Sequence, residues 1–203
     1  MVAIADKIGR LDWAVISYPL PGESESGDLF VIQEHQNGVL AGVVDGLGHG
    51  IEAAHAAKTA VDIITNYSHE SVISIVRRCH EGLSQTRGAV MSLASFYFGD
   101  DTMTWISVGN VEGVLARLEL GMVQDLAHIV LRGGVVGYQL PQLQASVIPV
   151  TSGDTMILAT DGIRPEFYDD LHLNDSPEGI ARYIGQRFRK SSDDSLALVI
   201  RYQ

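Results

Sequence analysis

The chain has 203 residues, 46% of them apolar and 19% charged, with a net charge of −11. That describes one globular domain over 1–203 with a core of its own, and the missing basic stripe argues against a nucleic-acid partner. The single cysteine, Cys79, excludes an internal disulfide framework, and no apolar run approaches the ~20 residues of a membrane span, so a cytoplasmic protein with no membrane partner is expected.

In chain order, "DLFVIQEH" (28–35) and "GVLAGVV" (38–44) read as strands folded back on each other about Gln36 and Asn37, since Asn37-Gly38 is a strong hairpin signal. From Gly50 the apolar period lengthens. Ala53, Ala57, Ala60, Val61 and Ile64 fall on one helical face, and Val72, Ile75, Val76, Cys79 and Leu83 on another, with Ser68 a candidate N-cap between them. Strands are expected over 89–98, 102–108, 112–118, 146–150 and 154–160, with 120–145 open to either reading. Ser176-Pro177-Glu178 starts a helix with Ile180, Ile184 and Phe188 on its apolar stripe, and 196–202 closes on a strand. Strand runs joined by short turns, with segregated helices, predict an α+β fold of two antiparallel sheets flanked by helices.

Aspartates stand at four strand ends. Asp45 and Asp161 each end an apolar run and are followed by glycine; Asp28 and the Asp193-Asp194 pair precede strands. Antiparallel neighbours place one strand's start beside the other's end, so all four are expected on one sheet edge. The hairpin sets Asp28 opposite Asp45, at the ~5 Å of a cross-strand pair. Carboxylates that close repel unless a proton or cation intervenes, and an oxygen-only donor set suits a hard divalent ion. Glycine beside each strand-ending aspartate would expose a carbonyl and leave room for water and substrate. Taken singly, each Asp-Gly is an ordinary turn signal; their agreement carries the argument.

"VVDGLGHG" (43–50) runs directly into a helix, whose N-terminal N–H groups favour an anion. It lacks the Lys-Ser/Thr of a P-loop and the glycine spacing of a dinucleotide site. Its glycines, at +1, +3 and +5 from Asp45, are out of register with an ATPase D-x-G-x-G box.

"SGD" (26–28), "VVDGLGHG" (43–50), "RGAVMSL" (87–93), "SVGN" (107–110), "GGVVG" (133–137), "TDG" (160–162) and "DDSLALVI" (193–200), in that order, resemble the metal-dependent protein phosphatases of the PP2C class, in the SpoIIE-like bacterial branch. The compactness of the chain is similar to that branch's stand-alone stress regulators. The resemblance implies an α/β/β/α sandwich and two divalent cations, Mn²⁺ or Mg²⁺. It matches Asp45, Asp161 and Asp193 to the catalytic metal ligands, the Gly46 carbonyl to a further ligand, and Asp28 to the position holding metal-bound water or an additional ion. It implies a serine/threonine phosphoprotein phosphatase in which a metal-bridged hydroxide attacks phosphorus in line. The implied partner is a phosphorylated STAS-domain scaffold or antagonist of a stressosome-type pathway. Gly48 and His49 are candidate substrate-binding residues, His49 as a proton donor to the leaving alkoxide.

The chain departs from the family pattern at three points. Leu196 stands where a threonine is usual, Val90 where close relatives carry threonine, and 20–27 contain no arginine or lysine to bind phosphate. Arg164 and Arg87 are the candidate replacements. Leu196 and Val90 support an alternative, a phosphatase-fold module that captures phosphorylated partners with little turnover; the retained aspartates oppose it.

Overall fold

A computed structural model describes residues 1–119 and 122–203. One sheet takes the order β3 (Asp28–His35), β4 (Gly38–Gly46), β5 (Ala89–Tyr97), β6 (Thr102–Val108), β9 (Ser146–Pro149). The other runs β1 (Val2–Ile8), β2 (Leu11–Tyr18), β11 (Ser195–Tyr202), β10 (Thr155–Ala159), β7 (Glu112–Glu119), β8 (Met122–His128). Every pairing is antiparallel. Helices α1 (Ile51–Asn66) and α2 (Val72–Gly82) cover the first sheet, and α3 (Pro177–Arg187) covers the second.

Three buried clusters separate the four layers. Val43, Phe96, Trp105, Leu115 and Leu198 lie in the cluster between the sheets; Val44, Ala57, Ile75 and Met91 pack under α1 and α2; Ile16, Ile157, Ile180 and Val199 pack under α3. Adjacent residues Val43 and Val44 thus enter different cores, because successive side chains of a strand point to opposite faces. Covered on both faces, β4 reads as a continuous apolar run. Two indoles, Trp13 and Trp105, lie in the central cluster, and Trp105 donates to Ser92 Oγ at 3.1 Å.

The hairpin turns at Gln36 and Asn37, pairing His35 with Gly38. Gly38 has a further reason to lack a side chain: a Cβ there would stand 1.8 Å from the Phe96 carbonyl oxygen of β5. Ser176 caps α3 as expected, accepting from Gly179 N at 3.1 Å with Pro177 in the first turn. The cap of α2 is Ser71 rather than Ser68, because only Ser71 sits three residues before an amide it can accept from, Ser74 N at 3.2 Å. Strands β1, β2 and β8 and a 3-10 helix over Pro165–Asp170 lie where no element was assigned. β1 is exposed along its length, so it has no alternation to read. The open stretch 120–145 contains β8, apart from residues 120 and 121, which lie outside the described residues.

Candidate active site

The pairing of β3 with β4 sets Asp28 directly opposite Asp45, the expected cross-strand pair. The other two aspartates do not share that sheet edge. Asp161 follows β10 and Asp193 precedes β11, both in the second sheet. The four therefore meet across the sandwich, at the matching ends of two stacked sheets. The expectation of one edge overlooked that a two-sheet fold brings strand ends together face to face as well as side by side.

Asp45, Asp161 and Asp193 line a cleft of about 350 Å³ with Leu47, Gly48, His49 and Asn110. A larger cleft of about 760 Å³ lies at the other end of the β3–β4 hairpin, around His35, Asn37 and Phe98, and holds none of the four. Burial, reinforced by the charges of Asp161, Asp193 and Asp194, pushes the Asp45 carboxyl up to about 8. Burial and then Asp161 also raise Asp193. Asp28 stands behind the cleft, 3% exposed, and is raised well above the usual carboxylate range by burial and then by Asp45.

Thr160 joins the two sheets here. Its hydroxyl donates to Asp28 Oδ2 at 2.6 Å and accepts from Leu196 N at 2.9 Å. A hydroxyl beside the site is thus present although position 196 carries leucine, whose side chain is buried in the inter-sheet core. The two adjacent aspartates divide their work. Asp193 lines the cleft, whereas Asp194 is 3% exposed and accepts from Leu20 N at 2.7 Å and Gly27 N at 2.8 Å, fastening the segment before β3 to the start of β11.

The glycines following Asp45 and Asp161 are demanded by neighbouring backbone. A Cβ on Gly46 would stand 2.1 Å from the Ala53 carbonyl of α1, and one on Gly162 1.8 Å from the Asp194 carbonyl. Their role in packing therefore goes beyond the space for water and substrate that the sequence suggested. Gly48 needs glycine for its φ of 91°. His49 lies on the cleft rim with Nδ1 2.9 Å from Glu23 Oε1, a carboxylate that orients the ring. Arg164 is directed elsewhere: it donates to the Arg187 carbonyl and lies over the Phe188 ring. Val90 walls the cleft and packs against Gly109.

The family profile of Stage II sporulation protein E (SpoIIE) matches residues 35–203. The chain belongs to the SpoIIE family. Among SpoIIE-family relatives, phosphoserine phosphatase RsbX of Bacillus subtilis (strain 168) is 27% identical over 180 residues, 88% of each chain. A crystal structure of RsbX in complex with magnesium superposes with a TM-score of 0.89 at 23% identity, covering 100% of both chains. A structure from work on the bacterial stressosome, described as a modular system adapted to control secondary messenger signalling, matches with a TM-score of 0.84 at 25% identity over 95% of this chain and 100% of that one. The sandwich is the PP2C-like fold that the motifs implied.

Read as a SpoIIE-family site, the cleft suits hard cations. Burial and neighbouring carboxylates raise Asp45 and Asp193, disfavouring their charged forms, a cost that a bound cation relieves. Among the described residues no three His, Cys, Asp or Glu side chains are grouped to hold one ion unaided. A cation such as Mg²⁺, which keeps several waters and takes one or two carboxylates, fits that arrangement. The sign of the pH effect follows. Asp45, raised to about 8 in the folded protein, favours the fold while protonated, and this contribution is lost as pH rises from the unfolded value near 4 through 8. In EDTA the Tm is expected to fall between pH 5 and pH 8. Mn²⁺ at a hundredfold excess over its Kd should then add about 2.7 kcal/mol at pH 8, or roughly 5–10 °C. A Tm indifferent to Mn²⁺ would count against a cation site.

Besides Thr160, two residues at this site were missed from the sequence. Asn110, at the end of "SVGN", donates from Nδ2 to Asp161 Oδ2 at 2.9 Å, and Lys190 donates to the Asp161 main-chain carbonyl. Asn110 had a signal, since its motif was already singled out. Lys190 had none: the turn that returns it to Asp161 exists only in the folded chain.

Proposed function

We propose that this chain is a cytoplasmic, metal-dependent phosphatase acting on phosphoserine or phosphothreonine of a STAS-domain regulatory protein in a bacterial stressosome-type pathway. The observation carrying this reading is the convergence of Asp45, Asp161 and Asp193 on one cleft, in a chain related along most of its length to a phosphoserine phosphatase. Asp28, Asp45, the Gly46 carbonyl, Asp161 and Asp193 would hold two divalent cations, Mn²⁺ or Mg²⁺. Bound there, such ions supply an activated water and neutralise developing charge on the phosphoryl oxygens.

The chain's own residues do the rest. Asp28 and Thr160 brace Asp45 from behind, Asn110 fixes one oxygen of Asp161, and Asp194 holds the segment leading into β3. Glu23 orients His49 on the rim, where the imidazole can give a proton to the departing serine or threonine oxygen. Cys79 takes no part: it lies in the core under α1 and α2, and burial pushes its thiol up to about 12. The capture-module alternative leaned on Leu196 and Val90; the Thr160 hydroxyl, beside the Leu196 amide and Asp28, weakens the first of these.

The test is release of phosphate from a phosphoserine-bearing STAS-domain protein, titrated with Mn²⁺ and Mg²⁺. Turnover that rises with metal and stops in EDTA is expected. Binding of the phosphoprotein without metal-dependent turnover would replace this reading with the capture module.

A further inference from the structure

We propose that Arg87 binds the phosphoryl group at the mouth of the carboxylate cleft, exchanging Glu52 for the incoming phosphate. The proposal rests on the phosphatase reading above and names the group that receives its substrate. With its carboxylates taken up by cations in that reading, the cleft still lacks, among the described residues, a side-chain donor for the phosphoryl oxygens that face outward at its rim. The described cations in the neighbourhood are otherwise engaged. Lys190 is bonded to the Asp161 carbonyl, Arg164 to the Arg187 carbonyl, and Arg132 to Gln144.

Arg87 is placed differently. Its guanidinium lies against the cleft-lining Gly48, so closely that a Cβ at position 48 would stand 2.7 Å from Nη1. Glycine at 48 therefore serves two needs, the left-handed φ and the approach of this arginine. The main chain beside Arg87 is tied to the same loop, because Leu47 N donates to the Gly88 carbonyl at 3.0 Å. Its partner is Glu52 in the first turn of α1, and the two side chains are 50% and 66% exposed. An ion pair that open to water contributes little, so replacing the carboxylate by phosphate costs little. The planar fork of arginine matches two phosphate oxygens at once.

The test uses the Mn²⁺-loaded protein with two probes, p-nitrophenyl phosphate turnover and calorimetric titration with inorganic phosphate. Arg87→Ala is expected to raise KM and the phosphate Kd at least about tenfold, since a charge-assisted hydrogen bond is lost. Arg87→Lys should recover part of both. Glu52→Gln should shift both the other way, tightening them roughly two- to threefold by freeing the arginine. That opposite sign is one a merely structural role would not produce. The Mn²⁺ midpoint should stay the same in all three variants. Unchanged KM and phosphate Kd in folded Arg87→Ala would overturn the assignment and leave the phosphatase reading standing. If wild type shows no metal-dependent hydrolysis, the phosphatase reading fails and the titration alone decides. Phosphate binding lost in Arg87→Ala supports the site, and equal or absent binding in wild type and variant sinks it.

Discussion

Asp45→Asn is expected to lower metal-dependent turnover at least ~100-fold while leaving a folded protein that, free of metal, melts above the parent at pH 8. The two halves of this result share one cause. Asp45 sits at the end of β4 with Asp28 across from it and Asp161 and Asp193 facing it from the second sheet. Without a cation, an ionised carboxylate there is desolvated and surrounded by like charge, which is why its proton is held to about pH 8. Asparagine keeps the shape and removes the charge. The strain of the metal-free site is thereby relieved, and the ligand proposed to draw cations into the cleft is gone. The comparison needs initial rates with saturating Mn²⁺ and melting curves in EDTA, run side by side. Turnover within tenfold of wild type would show that Asp45 does not hold the metal. A lower metal-free Tm would show that its charge is compensated within the protein.

The second large effect separates two neighbours. Asp193→Ala should abolish metal-dependent turnover with little change in metal-free stability, because that side chain is partly exposed and faces the cleft. Asp194→Ala should cost about 3 kcal/mol, since it removes a charged acceptor from two amides at once and leaves Leu20 N and Gly27 N without it. For a chain of this size that is roughly 6–12 °C in Tm. Denaturation by urea and turnover at a temperature well below both transitions would resolve the pair. Equal stability losses in the two variants would contradict this division of roles.

Much of this was legible in the sequence, for identifiable reasons. The hairpin about Gln36 and Asn37 fixes the register of β3 on β4, and with it the Asp28–Asp45 pair, because both the turn and the partners lie within eighteen consecutive residues. Ser176-Pro177 marks the start of α3 by local chemistry alone. What escaped depends on contacts between distant segments. The convergence of Asp161 and Asp193 on Asp45 requires knowing that two sheets stack, which no local pattern states. Thr160 looked like one more polar residue at a strand end until the second sheet brought it within hydrogen-bond reach of Asp28. The Asp-Gly pairs were read as open space beside a carboxylate; the spaces are filled by the backbones of Ala53 and Asp194. The choice between Arg87 and Arg164 likewise turned on direction, which a sequence does not carry.

The position of β11 has a consequence for how activity appears during folding. This strand lies between β2 and β10, so the β1–β2 hairpin joins its sheet only through it. The same strand brings Asp193 to the cleft and Asp194 to the amides that set the approach to β3. Residues drawn from near both ends of the polypeptide must therefore dock, in a non-local step, before Asp161 and Asp193 face the Asp28–Asp45 pair. Recovery of catalysis after dilution from denaturant should follow the slowest phase of sheet closure, lagging behind the early signal of α1 and α2.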